Sequence, residues 1–386
     1  MPPKKKHQKT KVDDTTPVIK TKRGLDEFYS EVYGERWPTL REALQRDTYK
    51  VAVYNRYCTL PKSEVLDGLV PFTGGGATST STAPQEVSYE RQQTATGLEF
   101  YVPARGKILP KPPLDEFLIK GYYIMDYASA VVVQQLQLTS SDSVLDMCAA
   151  PGGKTVCIAQ YLSNYNNMNL LTANEFARER FLRLKRTLRE YIPTRNNYNN
   201  PHYLNTVHYD MSMRDGQTLF APDKYNKILV DAPCSSERHL ITQNDREGNS
   251  TEYKKFNEQT SLEIATTQKA LLLRAFENVK EGGLVVYSTC SLSPYENDDL
   301  VKECQRVTRA EMKIVTDENH PCSLGEPTPV GGRLILPDVS DNWGPMYFCT
   351  FQKVGVKKSF SQTVEDSDDD LFKHYDDDSE EEEDTE

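Results

Sequence analysis

No two of the eight cysteines in this 386-residue chain are spaced as CxxC; Cys58, Cys148, Cys157, Cys234, Cys290, Cys304, Cys322 and Cys349 are scattered along it. No secretory segment precedes them, so a reducing compartment is expected rather than a disulfide framework. The six histidines are scattered too, which leaves a zinc site unsupported, and no metal is expected. No apolar run approaches the roughly 18 residues that span a bilayer, so a soluble protein with no membrane partner is expected. Internal repeats are absent. The N-terminus, rich in Lys and Pro with acids early, lacks the Arg/Ser-rich amphipathic pattern of a transit peptide.

Charge is present but sits at the ends. The formal net charge is −11. Residues 365–386 hold fourteen Asp or Glu against one Lys, and residues 1–23 hold eight Lys or Arg against Asp13 and Asp14. These stretches carry −13 and +6, which leaves 24–364 near neutral at −4. The low overall pI therefore says little about the partner of the folded part. Self-repulsion and the lack of apolar residues predict a disordered basic tail over 1–23 and a disordered acidic tail over 356–386. For the basic tail two readings stay open: a solvated end, or a nuclear-type address or nucleic-acid arm.

Between the tails, Leu25, Phe28, Tyr29, Val32 and Tyr33 recur at helical spacing, and Pro38 suits the first turn of a second helix carrying Leu40, Ala43 and Leu44. Residues 74–97 have low complexity and read as a flexible loop. Tyr122 to Leu138 is apolar and reads as a helix packed beneath a sheet. Residues 24–138 thus read as an N-terminal helical extension, and 139–355 as an α/β, Rossmann-like domain. Its expected strands are Val144–Met147, Leu170–Glu175, Thr206–Asp210, Lys227–Val230 and Gly283–Ser288, separated by helices Lys154–Leu162, Ala177–Tyr191 and about Ser261 to Val279. That alternation implies right-handed crossovers and a parallel core. Pro345–Lys353 reads as a late antiparallel strand at or near the edge. Acids close the first four strands: Asp146, Glu175, Asp210 and Asp231.

Three segments carry chemistry. Cys148-Ala149-Ala150-Pro151-Gly152-Gly153-Lys154-Thr155 is a glycine turn between a strand and a helix. Its Gly-Lys-Thr ending suits a phosphate-binding loop, but that motif needs glycine where Cys148 stands. The other reading is a Rossmann-type turn whose glycines admit a cofactor. Glu175, 22 residues after Gly153, stands where an acid binds ribose hydroxyls. Acids at several strand ends would repel a pyrophosphate and favour a cationic cofactor such as S-adenosylmethionine, a sulfonium. Cys234, in Asp231-Ala232-Pro233-Cys234, and Cys290, in Thr289-Cys290-Ser291, both follow β-branched runs, at the sheet edge where ligands collect. A thiolate there suits nucleophilic catalysis. The other cysteines read as small buried hydrophobes.

Together the three motifs closely resemble the Sun-domain RNA cytosine-5 methyltransferases, over roughly residues 115–353. Glu27–Tyr57 and Trp343-Gly344-Pro345-Met346-Tyr347-Phe348-Cys349 are similar to the branch holding the mitochondrial ribosomal-RNA methyltransferase and its mitochondrial tRNA relative, the former being nearer. The resemblance implies methyl transfer from S-adenosylmethionine to carbon 5 of cytosine in a structured RNA, ribosomal RNA preferred and tRNA possible. It implies Cys290 as nucleophile and Cys234 as the group assisting product release. It also implies cofactor contacts from Cys148, Ala149, Ala150, Pro151, Gly152, Gly153, Lys154, Glu175, Arg180, Asp210 and Asp231, with Asp231 on the cofactor or the cytosine edge. For the adenine-side acid, Asp210 is favoured over Asp215. The insertion at 74–97 and Ser235-Ser236 depart from the family pattern and are expected to shape RNA access. A non-catalytic RNA-binding assembly factor is the rival reading, opposed by the retention of both Cys234 and Cys290. Location is open: the branch implies the mitochondrion, while the Lys-rich start and acidic tail suit the nucleus or cytosol. With basic surface concentrated on 177–191, weak RNA binding is expected, and a partner protein or the ribosomal subunit is expected to supply placement.

Overall fold

The computed structural model describes residues 23–72, 97–104, 107–139, 141–162, 171–193, 204–213, 222–247, 258–316, 324–340 and 342–357. The expectations for nearly all of both tails and of loop 74–97, and for Asp215 and Cys322, lie outside these residues; Arg23, read as part of the basic tail, is bound to Glu258, and Val356 of the acidic tail ends the last strand. In chain order the elements are α1 (Leu25–Tyr33), α2 (Trp37–Gln45), β1 (Lys50–Tyr54), α3 (Lys62–Val65), β2 (Leu69–Phe72), β3 (Phe100–Pro103), β4 (Tyr122–Asp126), α4 (Tyr127–Gln134), β5 (Val144–Asp146), α5 (Gly153–Leu162) and β6 (Leu171–Asn174). There follow α6 (Arg178–Tyr191), β7 (Leu204–Val207), β8 (Tyr225–Asp231), α7 (Glu237–Glu247), α8 (Glu258–Asn278), β9 (Val279–Thr289), α9 (Asp298–Val307), β10 (Ala310–Ile314), β11 (Glu326–Pro327), β12 (Arg333–Ile335) and β13 (Met346–Val356).

The parallel core is as expected. Strands β7, β6, β5, β8 and β9 lie side by side in that order and all run parallel. The chain starts in the middle, at β5, moves outward to β7, then returns to the other side of β5 with β8. Ligands collect at the carboxyl ends of such strands, where the order reverses. Period-two alternation decides which side chains meet which helix layer. Val144, Leu229 and Val286 point into the core built on α4, α5 and α6. Their neighbours Leu145, Ile228, Val230, Val285 and Tyr287 point to the opposite core, under α8 and α9. A sheet covered on both faces needs apolar residues at successive positions, and these short runs supply them.

The extension is not purely helical, contrary to expectation. After α1 and α2 it folds into a four-stranded antiparallel sheet in the order β2-β3-β1-β4. The run Tyr122–Leu138, read as one helix, splits at Asp126. Its first half pairs with β1, with Lys50 opposite Asp126 and Tyr54 opposite Tyr122. Asp126 then caps α4 by accepting a 2.8 Å hydrogen bond from the Ala128 N–H, as an N-cap residue does. Apolar content alone did not distinguish the aromatic strand from the valine-rich helix.

Three further boundaries differ. Strand β7 stops at Val207, so Asp210 lies in the following loop rather than at a strand end. Strand β13 is antiparallel to β9 as expected, but it is interior, flanked on its other side by β12 and β10. Helix α7, directly after the Cys234 loop, was not anticipated.

Candidate active site

Strands β8 and β9 are adjacent and parallel, with Asp231 opposite Ser288. The two cysteine loops therefore leave the sheet side by side at its carboxyl edge. Cys234 Sγ and Cys290 Sγ stand 2.9 Å apart. The Cys290 N–H donates to Cys234 Sγ at 3.3 Å, and the Ser236 hydroxyl lies 3.0 Å from Cys290 Sγ. The two thiols are made unequal. Donation from Cys234, helped by Ser236, holds the Cys290 pKa below that of an ordinary thiol despite burial. The same contact, with burial, pushes Cys234 well up. The pair favours a thiolate on Cys290 and a proton on Cys234.

Two buried carboxylates fix these loops from behind. Glu237, the first residue of α7, accepts the Tyr29 hydroxyl at 2.7 Å and the Leu292 N–H at 2.9 Å, together with the Ser235 hydroxyl. Glu296 accepts the Ser261 hydroxyl at 2.7 Å, the Ser235 N–H at 3.1 Å and the Gln268 side-chain amide at 2.9 Å. The Ser291 hydroxyl lies 3.3 Å from Glu237 and 3.1 Å from Glu296. Both loops are thus tied to both acids. Burial, and then the nearby Glu296 charge, raise the Glu237 pKa above the ordinary carboxylate value.

The glycine turn leaves β5 two strands away from β9. Its two glycines are required by protein packing. A Cβ on Gly152, whose φ is +114°, would stand 3.1 Å from Thr187 and 3.2 Å from Leu184 of α6. One on Gly153 would come within 2.7 Å of the Tyr123 ring. Lys154 carries the turn towards the cysteines: its Nζ donates to Asp231 Oδ2 at 2.7 Å. Burial works against the Lys154 charge, yet Asp231, with Cys290 adding, holds its pKa above the ordinary value. A lysine committed to a carboxylate does not serve as a phosphate-loop lysine. The other oxygen of Asp231 accepts the Ser288 hydroxyl at 2.8 Å.

On the other side of the turn, Glu175 follows β6 and is buried, 4% exposed. Its Oε1 accepts the Ala177 N–H at 3.0 Å. Arg180 lies 3.5 Å from Oε2 and donates to the Ala150 carbonyl at 2.9 Å, so it braces the turn against β6. Asp146 is fully buried; its Oδ2 accepts the Thr155 hydroxyl at 2.6 Å, and burial pushes its pKa up to about 7. Asn174 joins three segments, donating to the carbonyls of Met147 and Tyr209 while accepting the Tyr209 N–H.

The structure thus brings Lys154, Asp231, Cys234 and Cys290 into one group, and Ala150, Glu175 and Arg180 into another across the turn. Asp210 is engaged locally, accepting the Ser212 N–H and hydroxyl. Cys58, Cys157, Cys304 and Cys349 are buried, as read from sequence, whereas Cys148, read the same way, is only partly buried at the start of the glycine turn. Sequence reasoning missed Asp146's proton affinity, Asn174, Glu237 and Glu296; Ser235-Ser236, singled out there for RNA access, are placed with Ser235 bound to Glu237 and Glu296 and Ser236 beside the thiols. The only sequence-level sign was an acid standing directly after Ser235-Ser236. Among the described residues no cluster of metal-ligating side chains forms, and no helix is long and apolar enough to cross a membrane.

Residues 133–352 match the family profile described as 16S rRNA methyltransferase RsmB/F. The chain is similar to the 5-cytosine rRNA methyltransferase NSUN4 of Bos taurus, 29% identical over 372 residues covering 90% of this chain and 93% of that protein. It is 30% identical to the mitochondrial tRNA (cytosine(34)-C(5))-methyltransferase of Danio rerio over 342 residues, 86% of each. The 5-cytosine rRNA methyltransferase nsun-4 of Caenorhabditis elegans is 36% identical over 256 residues, which span 64% of this chain and about half, 52%, of that relative. Among solved structures, NSun6 from Pyrococcus horikoshii with SFG superposes with a TM-score of 0.61 at 19% identity, covering 86% of this chain and 98% of that one. At that identity the likeness supports the fold alone.

Proposed function

Because the chain belongs to the RsmB/F methyltransferase family, we propose that it transfers a methyl group from S-adenosylmethionine to carbon 5 of a cytosine in ribosomal RNA, through a covalent link from Cys290 to the base. The observation that carries this reading is the 2.9 Å approach of two unequal thiols beside the Lys154–Asp231 pair.

The residues around the glycine turn fit the cofactor. Asp146 Oδ1 is buried without a hydrogen-bond partner among the described residues, and Glu175 Oε2 has no hydrogen bond beyond its 3.5 Å ion pair with Arg180, so both can still accept a donor. Glu175 would take ribose hydroxyls, the backbone from Cys148 to Lys154 would line the site, and Arg180 would hold the turn in place. S-adenosylmethionine brings an electrophilic methyl group on a sulfonium.

The chain's own residues prepare the other partner. Carbon 5 of cytosine is a poor nucleophile. Adding the Cys290 thiolate to carbon 6 pushes electrons onto carbon 5, which can then attack a methyl group; covalent catalysis replaces one hard step by easier ones. Asp231, steadied by Lys154 and Ser288, would meet the cofactor or the cytosine edge, and in the latter place would favour protonation of the base. Once the methyl group is in place, the carbon 5 proton passes to solvent, the carbon 5–carbon 6 double bond re-forms and the carbon 6–sulfur bond breaks to return the Cys290 thiolate, a release that Cys234 assists. The base must be unpaired or flipped to reach the thiols.

Ribosomal RNA is favoured because several relatives are named as rRNA enzymes. We place the protein in the mitochondrion by its relatives' names, and assign its positioning on RNA to a partner protein or the ribosomal subunit. Bisulfite sequencing of ribosomal and transfer RNAs after depletion tests this. One rRNA cytosine losing its methyl group supports the reading; a loss confined to tRNA replaces the substrate, and no loss in either removes the activity.

A further inference from the structure

Ser236 occupies an unfavourable position for a serine. Its φ is +54°, in the left-handed region that glycine adopts freely and other residues rarely do. It stands directly before α7, where a serine ordinarily turns its hydroxyl back to cap the helix N–H groups. Its carbonyl does join the helix, accepting the His239 N–H at 2.9 Å. The hydroxyl points the other way. It lies 3.0 Å from Cys290 Sγ, and 3.5 Å from both Cys234 Sγ and the Cys234 carbonyl. A hydroxyl has one proton to give, and the shortest of the three contacts is to Cys290.

We propose that Ser236 is a catalytic residue whose hydroxyl donates to Cys290 Sγ and holds that sulfur as the thiolate that attacks the base, an assignment that rests on Cys290 being the nucleophile. No bond to Ser236 forms or breaks. Its proton stays on oxygen throughout, as a donor matched to negative charge on sulfur. Donation to an ionised acceptor is stronger than to a neutral one, so the contact strengthens when the thiol loses its proton. Cys234 is the larger of the two influences on Cys290, but its side chain has a second task, and Ser236 adds a donor with no other role. A glycine would suit this backbone better and would leave Cys290 with the Cys234 donor only. Strain kept at a site of this kind is accounted for by what the side chain does there.

The test uses the full chain with Ser236→Gly and Ser236→Ala, reading the rate of Cys290 alkylation by iodoacetamide against pH through peptide mass spectrometry, without RNA or cofactor. Both variants are expected to move the Cys290 profile to higher pH and to slow alkylation at neutral pH about tenfold, the low end for a hydrogen bond to a charged group. Methyl transfer should fall in kcat with KM for RNA unchanged. Ser236→Gly should melt no lower than Ser236→Ala, since glycine accepts the backbone, which separates lost chemistry from lost folding. An unshifted alkylation profile in Ser236→Gly, or a shifted profile with kcat unchanged, overturns the proposal. Wild-type protein that transfers no methyl group to any RNA would instead strike the functional reading, and the thiol profile would still decide whether Ser236 supports the thiolate.

Discussion

The Tyr29 hydroxyl donates a 2.7 Å hydrogen bond to Glu237, a residue 208 positions later in the chain. The phenol is fully buried, its own pKa raised well above normal by that burial and by the Glu237 charge. Through it α1, which shares a core with Ile241, Leu292 and Leu336, reaches the carboxylate that holds both cysteine loops. The extension is therefore part of the scaffold that holds the two cysteine loops. Tyr29→Phe keeps the ring and removes one donor to a buried acid. It should cost about 1–3 kcal/mol of stability and lower kcat more than it weakens cofactor binding. Melting temperature with single-turnover kinetics checks this; an unchanged kcat would confine α1 to packing.

The two thiols should differ in what their loss leaves behind. Cys290→Ala should abolish methyl transfer while cofactor affinity is kept. Cys234→Ala should instead accumulate a covalent protein–RNA adduct, visible as a slow band on a denaturing gel with substrate RNA and S-adenosylmethionine. The double variant should show none. Trapping through Cys290→Ala would reverse the assignment.

The motifs made this pair legible in the sequence, because both cysteines follow β-branched runs whose strands turned out to be neighbours. The parallel core was legible for the same reason: successive apolar residues such as Ile228, Leu229 and Val230 suit a doubly covered sheet. What stayed hidden depended on partners distant in sequence. Glu237 and Glu296 owe much of their role to Tyr29, Ser261 and Gln268, which no local pattern connects to them. The glycine turn was read for the right geometry and an incomplete reason, since Gly152 and Gly153 make room for Thr187, Leu184 and Tyr123. Tyr122–Leu138 misled because its aromatic and β-branched residues fit a strand as well as a buried helix, and Asp126 is the only charged residue in the run.

On the cofactor side, Glu175→Ala removes a buried carboxylate with one oxygen held only by the Arg180 ion pair and the other capping the Ala177 N–H. A charge-assisted hydrogen bond contributes roughly 1.5–3 kcal/mol, or about 10–150-fold in affinity. Titration calorimetry should show S-adenosylmethionine binding weakened by an amount in that range. Arg180→Ala should weaken it less, because Arg180 acts through the Ala150 carbonyl and the Glu175 carboxylate. Unchanged binding in Glu175→Ala would mean that the ribose is held elsewhere.

Asp146 gives the stability a dependence on pH with a definite sign. Its folded pKa, about 7, lies above the ordinary value of 3.8 because burial disfavours the charged form. Between those values the native state keeps a proton that the unfolded chain has released, so stability falls as pH rises through this window. The contribution is complete below about pH 4 and gone above about pH 7, an upper bound of roughly 4 kcal/mol at 1.36 kcal/mol per unit. Asp146→Asn keeps the shape, removes the titration, and should make the variant more stable relative to wild type at pH 8 than at pH 4.5. Urea unfolding of both proteins across that range is the measurement. A stability difference that does not change with pH would show that Asp146 is ionised in the native protein throughout, with Lys154 and Thr155 outweighing the burial.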